Sequence, residues 1–112
     1  MSEGTPASHD WVTNVKKYVP GADEAAIHGI VKHLGIALQN KDGSFVACTD
    51  KKERVLVREH FLKKKLGLTL DDAALDQSVM DVCAKMHDDR DKPRVTFYYL
   101  LAANLGKLSM FH

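Results

Sequence analysis

Apolar and polar positions along this chain repeat with a helical period in five successive stretches. From His9 to Val19, the side chains of Trp11, Val12, Val15, Tyr18 and Val19 share a face, and Lys16 and Lys17 lie away from it. A second helix is expected over 24–39, with Ile27, Ile30, Val31, Leu34 and Leu38 in one stripe. It contains Gly29 and Gly35, each costing about 1 kcal/mol against alanine. Close approach of another helix is one return for that cost. A third helix is expected over 50–66, its buried face centred on Val55, Leu62 and Leu66. A fourth follows with Leu75, Val79, Val82, Cys83 and Met86 in register.

The fifth stretch, Arg94 to Leu105, mixes two signals. Its β-branched and aromatic residues favour a strand over 94–101. Pro93 suits a first helical turn, the run from Leu100 to Leu105 favours helix, and Gly106 would end it. A lone strand would have no partner elsewhere in the chain, so helix is the reading adopted. Val95, Tyr99 and Ala102 would lie on one side and Phe97 and Leu100 on another. A helix apolar on both sides is central to a core or part of an interface.

Breaks and caps agree with this division. Pro20, Gly43, Gly67 and Gly106 mark the stops, and Ser8, Asp23, Asp50, Thr69 and Asp91 sit where N-caps belong. Gly67, between Leu66 and Leu68, reads as a left-handed C-cap. Its substitution by valine is expected to cost more than Gly43→Ala. Phe45, Val46 and Ala47 are expected to form a short helical turn that plugs the core together with Cys48. The fold expected is all-α: one compact bundle of about five helices with one short extra helical turn. Residues 1–8 form a flexible N-terminus and 9–112 a single domain.

Charge and cysteine content narrow the reading further. The 112 residues carry 16 basic and 15 acidic side chains, a net charge of +1. That balance lacks the field of a dedicated nucleic-acid binder. No apolar run reaches the roughly 20 residues of a membrane span. The two cysteines, Cys48 and Cys83, are read as free thiols in a reducing cytoplasm.

The segments DWVTNVKKYVPGADEAAIHGIVKHLGIAL (10–38), FLKKKLGLTLDDAALD (61–76) and RVTFYYLLAANLGKL (94–108) resemble a family of small bacterial proteins catalogued as a domain of unknown function. The resemblance covers most of the chain past residue 9. It implies a single all-helical domain and brings no activity, cofactor or catalytic residue with it.

Four groups of residues invite a functional reading. Cys83 and His87 are four apart on one helix face, but two ligands do not make a metal site, and no cofactor or metal is expected. His60 follows Glu59, and neighbours on a helix do not face each other. A basic face is expected from Arg54, Arg58, Lys63, Lys64, Lys65 and Arg94, which could follow a phosphate backbone. Surplus apolar area on the fifth helix points to contact with a partner through Phe97, Leu100, Asn104 and Phe111. There is no glycine-rich phosphate loop, serine elbow or paired-cysteine motif. The leading expectation is therefore a non-enzymatic interaction or self-association domain, binding an unknown protein or a second copy of itself. Nucleic-acid association through the basic face is the alternative. An enzyme using Cys83, His87 and His60 is a weaker third.

Overall fold

A computed structural model describes residues 6–39 and 41–112. Among these residues five main helices carry the fold. They are α1 (Pro6–Tyr18), α2 (Glu24–Leu34), α3 (Lys51–Leu56), α4 (Asp72–Lys85) and α5 (Arg94–Asn104). α2 runs into a 3-10 turn, Gly35–Gln39, and α3 continues as a π-helix over Val57–Lys65. One helical turn at Lys41–Ser44 and a 3-10 turn at Leu108–Phe111 complete the helical elements.

α5 is the axis of the molecule. Every residue from Arg94 to Ala102 is buried, and the helix touches α1, α2 and α4. Of the two readings open to a helix apolar on both sides, the core wins. The expected helix over 94–101 is present, and strand structure stops just before it. Lys92–Pro93 (β2) pairs antiparallel with Phe45–Val46 (β1), Phe45 facing Pro93 and Val46 facing Lys92. This two-residue bridge replaces the helical turn expected at Phe45–Ala47. The extra turn forms immediately upstream instead, at Lys41–Ser44. Val46 still plugs the core, at 4% exposure, and Cys48 packs beside it.

The helix ends show which polar signals the fold uses. Asp23 caps α2 by accepting from the Ala26 amide at 3.2 Å, and Asp50 caps α3 by accepting from Lys52 at 2.9 Å. Ser8 falls inside α1 rather than before it, and Thr69 does not cap. α1 begins earlier, at Pro6, so residues 6–8 are helical, while the rest of the expected flexible N-terminus lies outside the described residues. Asp71, two residues past Thr69, accepts from Ala74 at 2.9 Å and starts α4. α5 begins after Pro93 without a side-chain cap, so Asp91 is not its cap.

The π-helical continuation of α3 changes which residues are buried. With i→i+5 bonding, residues five apart lie one above the other. Val57 and Leu62 form one such buried pair, and Phe61 and Leu66 another. The Leu66 amide donates to the Phe61 carbonyl at 2.9 Å in this pattern. Phe61 thus turns inward and stacks on Tyr98, ring centroids 3.9 Å apart. Val55, expected at the centre of the buried face, is only half-buried. Gly67 ends the segment at φ +69°, the left-handed conformation expected of it.

Gly29 shows why α2 tolerates glycine. A Cβ there would lie 1.9 Å from the Phe111 carbonyl oxygen, so the close approach is real. The approaching element is the C-terminal 3-10 turn, and not another long helix.

Candidate functional site

A cleft of about 760 Å³ lies between the connector that follows α2 and the start of α3. Its floor is built by Arg94. This guanidinium is buried, with Nε donating to the Gly43 carbonyl at 2.6 Å and Nη1 to the Tyr98 hydroxyl at 3.0 Å. Nη2 donates to the Phe45 carbonyl at 3.0 Å and to the Glu53 carboxylate. One side chain therefore joins the connector, α3 and α5. Burial works against the charge on Arg94, but Tyr98 and Glu53 more than offset it and raise its pKa above the ordinary value. Burial also pushes the Tyr98 hydroxyl up, against the pull of Arg94.

One wall of the cleft contains Cys48, which is disulfide-bonded to Cys83 on α4, with Cα atoms 6.0 Å apart. The expectation of two free thiols is overturned. The connector turns back across α4 between Val46 and Asp50 and brings positions 35 residues apart into bonding range. Sequence spacing alone carried no sign of that return. The disulfide also removes the argument for a reducing cytoplasm, which rested on free thiols. Among the described residues, no helix is long and apolar enough to cross a membrane.

The rim carries charge that the fold does not consume. Lys52 and Arg90 line the cleft and engage no described carboxylate, while the Lys92 ammonium donates to the Asp89 carbonyl at 2.9 Å. Of the lining carboxylates, Glu53 belongs to Arg94 and Asp50 to the α3 cap, leaving Asp91. Leu56 completes the lip with 51% of its surface exposed.

The residues proposed from sequence are scattered by the fold. Phe97, Leu100 and Phe111 are buried within the chain at 0%, 3% and 6% exposure, and only Asn104 faces solvent. Their apolar area is consumed by α1, α2, α4 and the C-terminal turn, so they are not available as a contact surface.

The basic face is divided in the same way. Arg58 bonds to Asp76 at 2.9 Å and Glu59 at 2.8 Å, and approaches Asp72 at 3.6 Å. Lys63 joins Asp72 at 2.6 Å and Glu59 at 2.8 Å. These contacts raise the pKa of both cations, Arg58 through Glu59 and Asp76 and Lys63 through Asp72 and Glu59. Arg94 is in the floor of the cleft. Arg54 donates to the Cys48 carbonyl at 2.6 Å, and Lys65 lies over the Phe111 ring, 5.4 Å from its centroid. Lys64 is exposed.

The enzyme candidates do not converge. Cys83 is held in the disulfide, His87 is exposed and bonds to the Ala84 carbonyl and Asp88, and His60 is exposed on another element. Among the described residues, no three His, Cys, Asp or Glu side chains are grouped to hold a metal.

The sequence profile of the family described as "Protein of unknown function (DUF2853)" matches residues 10–109. The chain belongs to this family. No curated protein matches the chain. The DUF2853 match covers α1 from residue 10, the other four helices and the cleft, and it assigns no role to any of them.

Proposed function

We propose that this protein is a binding domain, and that its cleft beside α3 takes a protein segment with an apolar side chain flanked by carboxylates. The observation that carries the reading is the composition of the lip. Half-exposed Leu56 shares the cleft lining with Lys52 and Arg90, two cations that engage no carboxylate among the described residues. An apolar anchor inside a charged rim is the usual anatomy of a protein contact. The floor is already satisfied: every donor of Arg94 that faces the connector or α3 has an acceptor, so the site is formed before a partner arrives. Self-association through α5 loses its support, because the side chains it needed are used in the core.

Selection of a displayed peptide library on the immobilised protein tests this directly. Enriched peptides should place Leu, Phe or Met next to Asp or Glu. Leu56→Asp should lose them while melting as the parent does, because Leu56 contributes little to the core. Enrichment of basic or wholly polar segments, or capture unaffected by Leu56→Asp, contradicts the reading. Nucleic-acid association stands as the alternative only through Arg54, Lys64 and Lys65. It requires a gel shift at low salt that fades steeply as salt is added.

A further inference from the structure

We infer that Cys48–Cys83 is a redox-active disulfide that accepts two electrons from a dithiol, with Cys48 as the sulfur that is attacked. The inference does not depend on the peptide-binding reading. It rests on the unequal placement of the two sulfurs. Cys48 is half-buried and lines the cleft, whereas Cys83 is 8% exposed and belongs to the core cluster on α4. A nucleophile entering the cleft meets Cys48 and cannot reach Cys83 from that side.

The charges near Cys48 favour a thiolate. Lys52, Arg90 and Lys92 line the same cleft, and the Arg54 guanidinium is bonded to the Cys48 carbonyl itself. Asp50 and Asp91 are the opposing carboxylates, since Glu53 is held by Arg94. Cations beside a partly exposed cysteine stabilise its thiolate and draw in an anionic thiol, while an apolar site does neither. The pair therefore combines an accessible cysteine on the charged side with a sheltered resolving cysteine behind it.

The exchange balances with the dithiol as sole co-reactant. One thiolate of the dithiol attacks Cys48 Sγ, a mixed disulfide forms, and Cys83 Sγ leaves with the electron pair and takes up a proton. The second thiol of the reductant, after losing its proton, attacks its own sulfur in the mixed disulfide. Cys48 leaves as a thiolate, and the reductant becomes a disulfide. Two electrons pass to the protein and the dithiol is oxidised.

The test begins with the unaltered protein. Dithiothreitol in native buffer should release two thiols per chain, read by iodoacetamide trapping and mass spectrometry, with the helical circular dichroism retained. Release only after denaturant is added overturns the inference, because a purely structural staple behaves that way. The single variants then read the asymmetry. Cys48 in Cys83→Ser should react with an aromatic disulfide reagent at neutral pH about tenfold or more faster than Cys83 in Cys48→Ser. Equal rates, or faster reaction at Cys83, overturn the assignment of Cys48. Should a variant fail to fold, the same order is read on the reduced parent protein, by which cysteine is first labelled at limiting reagent.

Discussion

Two arginines on this protein hold carboxylates and do different work. Arg94 is buried with Glu53, their side chains 11% and 14% exposed, and it also serves two connector carbonyls and a tyrosine. Arg58 is surrounded by Glu59, Asp72 and Asp76, whose side chains are 39%, 57% and 49% exposed. Solvent screens the second group and adds side-chain entropy to its cost, so each pair is worth about 0–1 kcal/mol. The first cannot be broken without leaving the Glu53 charge buried without its partner. A residue type with an acidic neighbour therefore says little until burial is known.

The largest effect should come from Arg94. Arg94→Met removes the charge and strands Glu53, and we expect a loss of about 3–5 kcal/mol in urea unfolding. The tether at Cys48–Cys83 should be next. It closes a loop of 35 residues, for which chain entropy gives about 3–4 kcal/mol, so Cys83→Ser should lower the melting temperature clearly and reduction of the parent should match it. A small effect from both changes would show that the connector is held by something else.

Two glycines, one in each region, sharpen the contrast. A Cβ on Gly43 would lie 2.2 Å from the Ala37 carbonyl oxygen, whereas one on Gly67 meets nothing within 4 Å and suffers only its φ of +69°. Gly43→Ala should cost about 1–3 kcal/mol by overpacking, and Gly67→Ala about 1 kcal/mol by backbone strain. The sequence reading ranked Gly67→Val above Gly43→Ala, because the helix cap was visible and the overlying Ala37 carbonyl was not. Thermal melts of the two variants decide it.

A third polar group, smaller in effect, lies between α1 and the loop after α4. Asp89 accepts from Lys17 and the Tyr18 hydroxyl, each at 2.7 Å. Burial opposes its charge, but those bonds win and hold its pKa below the usual carboxylate value. A lowered folded pKa means stability present above about pH 4 and lost as pH falls through the folded value. Tyr18 is shifted the other way, first by burial and then by Asp89, so its share is present below about pH 10 and lost at higher pH. Asp89→Asn should flatten the acid limb of the stability–pH curve and weaken the alkaline one, because part of the Tyr18 shift goes with it.

Much of the fold was legible because it depends on local signals. The apolar stripe of α4, the caps at Asp23 and Asp50, and the left-handed Gly67 are all read from near neighbours in the chain. The helical α5 was readable too, since Pro93 and Gly106 bracket it. What was not legible depended on distant partners. The disulfide needs the connector to double back over α4. The burial of Phe97 and Leu100 needs helices on both sides of α5. The π-helical stretch shifts Phe61 inward by a spacing that a 3.6-residue period does not contain. The cleft was missed for the same reason: Arg94 reads as one basic residue among many, and only the pairing of β1 with β2 brings Gly43, Phe45 and Glu53 around it.

Arg94, buried with its carboxylate, organises the molecule, and Arg58, which is paired with exposed carboxylates, does not. Double-mutant cycles on Arg94–Glu53 and Arg58–Asp76, measured by urea unfolding, test it most directly. We expect a coupling of about 2 kcal/mol or more for the first pair and below about 1 kcal/mol for the second. Equal couplings, or a larger one at Arg58–Asp76, would contradict it.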